Sequence, residues 1–262
     1  MIRLIPHWLG KRLARFLLKE RHLHNTSAST PAASLLTTLR VGDVLLVDGS
    51  SRASTAIKFI TQSTWSHAAL YVGDRLRNLS AGNAQHCFIE VDMADGVRSV
   101  DIEAFSGLHT RICRPEGLDA AGCQQVAEYA IERIGQQYDL RNIVDLVRYL
   151  FPTPPVPGRF RRRLLELGSG DPTRAICSTL IARAFQSVHY PILPVIEQHD
   201  ITSADCPGCI EEIYRLRHHS LFTPRDFDVS PYFQIVKPVL AGGFDFKALH
   251  WEADKINAKI SP

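Results

Sequence analysis

The stretch "TWSHAALYVGD", Thr64 to Asp74, sets a histidine into what otherwise reads as a buried β-strand. By period two, Ala68, Leu70 and Val72 share one face, and His67, Ala69 and Tyr71 share the other. Gly73-Asp74 closes the strand with a turn signal. On its own, such a histidine is a core residue whose ring nitrogens find backbone partners. A different role needs a partner elsewhere in the chain.

Working outward, "VGDVLLVDG" before it is a strand with turn residues at both ends. "SRASTAIKFITQS" is a short helix with Ser51 or Ser54 as cap. "CFIEVD" and "VRSVDI", separated by "MADG", form a hairpin, and "HTRICRP" is a further strand. Helices follow: "LDAAGCQQVAEYAIERIG" with Gly135 at its end, "DLRNIVDLVRYLF" ended by Pro152, and "TRAICSTLIARAFQSV". Strands cluster first and helices second, so the class is α+β rather than a doubly wound sheet. "PTPPVPGRFRRR", residues 152–163, is a long loop of the kind used as a lid or binding loop. Residues 199–240 read as irregular apart from a short helix from Ile210 to Arg217, and a last helix is expected within 245–259. The expected organisation is a basic amphipathic helix over 1–22, a linker over 23–38, the main domain over 39–240 and a C-terminal helix or tail over 241–262.

Composition is that of an ordinary globular protein, with 45% apolar and 22% charged residues in 262. The net charge of +3 is unevenly placed. Residues 1–22 hold six basic residues and one acidic one, so the remainder is slightly acidic. That argues against a nucleic-acid binder, which needs an extended basic face. The basic segment carries Ile2, Ile5, Leu9, Leu13 and Phe16 at helical spacing, which suits an anionic membrane surface, a partner groove or packing on its own domain. No secretory h-region and no membrane-length apolar span occurs, so the expected compartment is the cytoplasm, peripheral at the inner membrane face where the segment binds there. The six cysteines are then thiols.

Cys177 falls in the first turn of its helix, after Asp171-Pro172-Thr173. Unpaired amide N–H groups and the positive dipole end favour a thiolate there. The face it occupies, with Ile181, Ala184 and Val188, suits a buried structural cysteine equally well. A thiolate nucleophile wants a histidine as proton acceptor and then acid, and that histidine wants a polar group on its far nitrogen. If strand 66–72 pairs antiparallel with strand 85–91, one register puts Tyr71 opposite His86 and His67 opposite Glu90. Glu90 is otherwise an exposed strand carboxylate. Asp92 on the same face and Glu103 are the other acids in reach of the role.

"VGDVLLVDG", "TQSTWSHAALYVGD", "CFIEVD", "GQQYDLRNI" and "ICSTLIARAF", in that order, resemble the permuted papain-like amidases of the YaeF/YiiX group, relatives of the NlpC-type cell-wall peptidases. "LFTPRDFDVSPYFQIV" resembles the tail of that group, so the likeness spans about residues 39–237. In papain the cysteine precedes the histidine; here the order is reversed, as in the permuted branch. The resemblance implies a cysteine helix packed on a small antiparallel sheet that carries the histidine. By position, Cys177 matches the nucleophile, His67 the base and Glu90 the polar third member. Tyr138, in "GQQYD", matches a tyrosine near the site that donates to substrate or oxyanion; the alternative is a core aromatic at a helix start.

"CPGC", Cys206 to Cys209, has metal or redox spacing, but one CxxC supplies only two of four zinc ligands and no strand is evident before it, so a plain loop pair is expected. Cys87, Cys113 and Cys123 read as core, and Gly42 and Asp43 as structural. No phosphate-binding glycine loop and no HExxH motif is present, and neither metal nor cofactor is expected. The leading expectation is a thiol hydrolase, of amidase or peptidase type, acting through a thioester on a peptide, muropeptide or lipid-linked amide. The alternatives are an acyltransferase or lipid (thio)esterase at the membrane surface, and a non-catalytic binding module that keeps the fold.

Overall fold

The computed structural model describes residues 30–76, 85–92, 95–137, 176–203 and 206–248. The basic segment 1–22, Tyr138, the helix expected at 139–151 and the 152–163 loop lie outside them.

Val44–Asp48 (β1), His67–Tyr71 (β2), Phe88–Asp92 (β3), Gly96–Val100 (β4) and His109–Pro115 (β5) occupy the expected stretches. With Phe233–Val236 (β8) they form an antiparallel sheet in the order β4-β3-β2-β1-β5-β8. The central strands are apolar almost without alternation, because both faces of the sheet are covered. Val44, Leu46, Ala68, Leu70, Ile89 and Val91 pack in one core with the helices Ala120–Ile131 (α3) and Ile176–Ser187 (α4). Leu45, Val47, Ala69, Phe88 and Ile112 pack in a second core beneath the helix Ala32–Thr38 (α1) and the turn Ile102–Phe105. Fully burying an aliphatic side chain contributes roughly 1.5–3 kcal/mol, so it is the cover on both sides that makes such apolar strands stable here.

Local signals hold where a cap or a turn fixes the chain. Ser51 caps the helix Arg52–Thr61 (α2) by accepting from the Ser54 N–H, and Asp119 caps α3 through the Gly122 N–H. Gly96 has φ +78° at the β3–β4 turn, and a Cβ there would meet the Gln136 carbonyl. That turn sets the register Asp92↔Gly96 and Glu90↔Arg98.

Four sequence expectations are corrected. Residues 32–38, assigned to the linker, form α1, whose Leu35 is buried against the sheet. The helix expected at 210–217 is a strand: Cys206–Arg215 (β7) pairs with Val195–Ser203 (β6) in a hairpin. Ile210, Ile213 and Tyr214 are strand formers, and their partner strand decides the outcome over the three-residue spacing of the isoleucines. Cys206 and Cys209 therefore lie in a strand rather than a loop. Thr223 and Asp226 also build a capping box at Pro224–Val229 (α5), inside the region expected to be irregular. At the C-terminal side, Pro238–Ala241 (α6) and a 3-10 turn at Phe246–Ala248 are described; the rest of the expected last helix lies outside.

Candidate active site

Cys177 is the second residue of α4 and is 5% exposed. The first four N–H groups of a helix have no partner within it, and the positive end of its dipole lies there. The sulfur thus sits where a negative charge is favoured. It also receives the Ala68 N–H of β2. The Ser178 hydroxyl lies 3.9 Å from it.

The availability of that Ala68 N–H follows from the sheet. β2 pairs with β3 at Leu70↔Ile89 and Tyr71↔Phe88, and the ladder stops there. Continued, it would bring Val91 opposite Ala68. Instead the strands part, and α4 brings Cys177 to the free side of β2. His67 is the first residue of β2, at the mouth of this opening.

The register differs by two residues from the one expected. Extended from the observed pairs, it sets Asp92 opposite His67 and Glu90 opposite Ala69. A slip of two preserves the face where a slip of one would reverse it. Glu90 therefore reaches His67 on the diagonal, with Oε2 at 2.8 Å from His67 Nε2. With Nε2 engaged, Nδ1 is the nitrogen left for the bond to the Cys177 sulfur. Asp92 instead lies 3.5 Å from Arg98, and Glu103 is exposed in the turn Ile102–Phe105.

Arg98 is the site residue that sequence reasoning missed. It stands opposite Glu90 on β4, its Nε and Nη2 at 2.9 and 2.7 Å from Glu90 Oε1. The signal was present in the hairpin "IEVDMADGVRS": counting back from the turn pairs Arg98 with Glu90.

The charges follow from these contacts. Burial pulls the His67 imidazolium toward neutrality, but the bonds to Cys177 and then Glu90 overturn this and push its pKa up to about 10. Burial raises Glu90, yet His67 and Arg98 bring it down to about 2. Burial likewise opposes a Cys177 thiolate, but His67, the Ala68 N–H and Ser178 hold the thiol below its usual value. Burial pushes Cys87 up to about 11, and raises Cys113 and Cys123. These contacts favour negative charge on Cys177 and Glu90 and positive charge on His67 and Arg98, in alternation along the chain of side chains. Among the described residues no cluster of His, Cys, Asp and Glu is arranged to hold a metal ion.

No curated protein matches the chain. A crystal structure described as that of the metalloprotein yiiX from Escherichia coli O157:H7 aligns over 76% of this chain and 96% of its own, at 16% identity and a TM-score of 0.44. A likeness of that size carries no argument. The sequence match is the informative one. It takes in His67, Glu90, Arg98 and Tyr138, and Cys177 lies beyond it. Residues 38–149 match the family of permuted papain-like amidase enzymes, YaeF/YiiX, C92, a family of cysteine peptidases and amidases, and the mixed helices and antiparallel sheet of the chain agree with an α+β fold of that kind.

Proposed function

We propose that the protein hydrolyses an amide bond through Cys177, His67 and Glu90 by way of a thioester. One observation carries this reading: the joined Cys177–His67–Glu90 chain, whose contacts favour a thiolate beside an imidazolium.

The Cys177 thiolate attacks the carbonyl carbon, and the carbonyl oxygen takes the negative charge. N–H groups in the first turn of α4, which have no partner within the helix, are the donors proposed for that oxygen. His67 Nδ1–H then protonates the leaving amine as the C–N bond breaks, leaving an acyl thioester on the sulfur. Neutral His67 next takes a proton from water, and the hydroxide formed attacks the thioester. The carboxylic acid departs, the sulfur regains its electron pair, and His67 keeps the proton. Glu90 fixes the ring and balances the imidazolium in both halves. Tyr138 is assigned to substrate binding by its place in the family motif.

The substrate class is an amide of a peptide, a muropeptide or a lipid-linked compound. The test is a panel of labelled peptides, muropeptides and acyl amides offered to wild type and Cys177→Ala. Turnover by wild type alone, with an acyl adduct mapped to Cys177, is the expected result. Turnover that survives Cys177→Ala overturns the assignment, and transfer of the acyl group to an added amine or lysolipid in place of water makes the enzyme an acyltransferase.

A further inference from the structure

We infer that Arg98 is a positioning residue of this site, which acts on Cys177 and His67 only through Glu90. The inference rests on the Cys177–His67–Glu90 assignment above.

Both Arg98 contacts on Glu90 fall on one oxygen. Nε and Nη2 close on Oε1 at 2.9 and 2.7 Å, and this leaves Oε2 for His67 Nε2 at 2.8 Å. A guanidinium fork on one side of the carboxylate thus fixes which oxygen faces the imidazole and at what angle. Arg98 is itself held from its other side, with Nη2 3.5 Å from Asp92 and Nη1 3.3 Å from Asp95. The β3–β4 turn therefore serves as the mount of the triad's third member.

The second effect is electrostatic. Glu90 is 7% exposed, and a buried carboxylate is costly unless it is paired. Among the described residues the charged groups facing the relay are His67 from β2, Glu90 and Asp92 from β3, Asp95 and Arg98 from the β3–β4 hairpin, and Cys177 from α4. Among the described residues Arg98 is the guanidinium that the three carboxylates share. Without it the imidazolium sees uncompensated negative charge and the thiolate is repelled, so His67 and Cys177 both titrate at higher pH. Removing the Glu90 charge has the opposite sign: both groups then titrate lower.

The experiment uses the full chain and the rate of Cys177 alkylation by iodoacetamide from pH 5 to 9, read by peptide mapping. The variants are Arg98→Met, Arg98→Lys, Glu90→Gln and the Glu90→Gln/Arg98→Met double variant. Arg98→Met is expected to move the acid limb to higher pH and Glu90→Gln to lower pH. Arg98→Lys keeps the charge, so its limb stays at the wild-type position while the orienting fork is lost. On a substrate of the enzyme it should cost on the order of tenfold in kcat, the scale on which partners that orient a reacting group act. The double variant should match Glu90→Gln alone. A purely packing role for Arg98 predicts an unmoved limb in Arg98→Met, and a role independent of Glu90 predicts additive shifts in the double variant; either result overturns the inference. Where Arg98→Met fails to fold, Arg98→Lys in the wild-type and Glu90→Gln backgrounds decides between the same outcomes through kcat. A wild-type Cys177 that titrates like an ordinary thiol overturns the catalytic assignment itself, whatever Arg98 does.

Discussion

His67 Nε2 lies 2.8 Å from Glu90 Oε2, reached on the diagonal across two strands that have ceased to pair. A diagonal contact depends on the side chains more than on the ladder, so its loss is felt first in chemistry and only second in fold. Glu90→Gln keeps an oxygen that accepts the imidazole N–H but removes the charge. It should lower turnover ten- to a thousandfold, roughly 1.4 to 4 kcal/mol of transition-state stabilisation. Glu90→Ala should be worse, because orientation goes as well. Cys177→Ala should abolish turnover, and His67→Ala should come close to that. Activity of Asp92→Asn and Glu103→Gln, with folding checked by circular dichroism, completes the comparison: an unaffected Glu90→Gln beside an inactive Asp92→Asn would transfer the role to Asp92.

The same pair makes stability depend on pH with a definite sign. His67 is raised from 6.5 to about 10, so its contribution is full below pH 6.5 and disappears as pH rises through about 10. Glu90 is lowered from 4.5 to about 2, so its contribution is full above pH 4.5 and disappears as pH falls through about 2. Wild type should exceed Glu90→Gln in thermal stability by its largest margin between pH 4.5 and 6.5. The margin should close as pH approaches 10. Parallel melts across this range measure it, and a margin that does not change with pH would mean that Glu90 contributes packing alone.

Cys177 should react first among the thiols of the described residues. Cys87 is pushed up to about 11 and Cys113 and Cys123 are raised, all by burial, whereas Cys177 is lowered by His67. Limiting iodoacetamide near pH 6.5, followed by peptide mapping, should label Cys177 preferentially. His67→Ala should slow that labelling, because no imidazolium is left to stabilise the thiolate. Preferential labelling at Cys206 or Cys209 would point to redox chemistry in the β6–β7 hairpin.

How much of this was legible in the sequence depended on range. β1 to β5, the Ser51 cap and the β3–β4 hairpin were written in short-range pattern and turn chemistry. The face shared by His67 and Glu90 was legible because it follows from strand parity alone. The register was not, because it is set where β2 and β3 part to admit α4, a contact between residues far apart in sequence. β6 and β7 were missed for a related reason: each is strand-like only in the presence of the other. Arg98 went unnoticed because an arginine on a hairpin strand looks like a solvated surface charge until its partner is known to be a buried carboxylate.

The basic segment 1–22 is proposed to hold the protein at an anionic membrane surface. Each Lys or Arg near such a surface contributes on the order of 1 kcal/mol, less at higher salt. Full-length protein should co-sediment with phosphatidylserine vesicles at low salt and be released at high salt, whereas a chain beginning at Pro31, just before α1, should not bind. Equal binding by both chains would place the contact elsewhere.

The most costly single change outside the active site should be at Arg114. It holds the Asp43 carboxylate at 2.9 and 2.7 Å, and also donates to the Thr38 carbonyl at the end of α1. Asp43 is 1% exposed, and burial raises its pKa even with the guanidinium beside it. Arg114→Met would leave a buried carboxylate with the Arg40 N–H as its remaining anchor. Breaking a buried pair from one side typically costs about 3–5 kcal/mol, whereas replacing both partners is often close to neutral. Urea unfolding should therefore show a large loss for Arg114→Met and a smaller one for the Asp43→Asn/Arg114→Met double variant, since the stranded charge is gone. Because Asp43 stands directly before β1, and β1 pairs with β2 from Val44↔Leu70 to Val47↔His67, the single variant should also lower Cys177 reactivity at pH 6.5. The double variant should restore it. If the two variants are equally unstable, the Arg114 side chain acts through its contact with α1 rather than by neutralising Asp43.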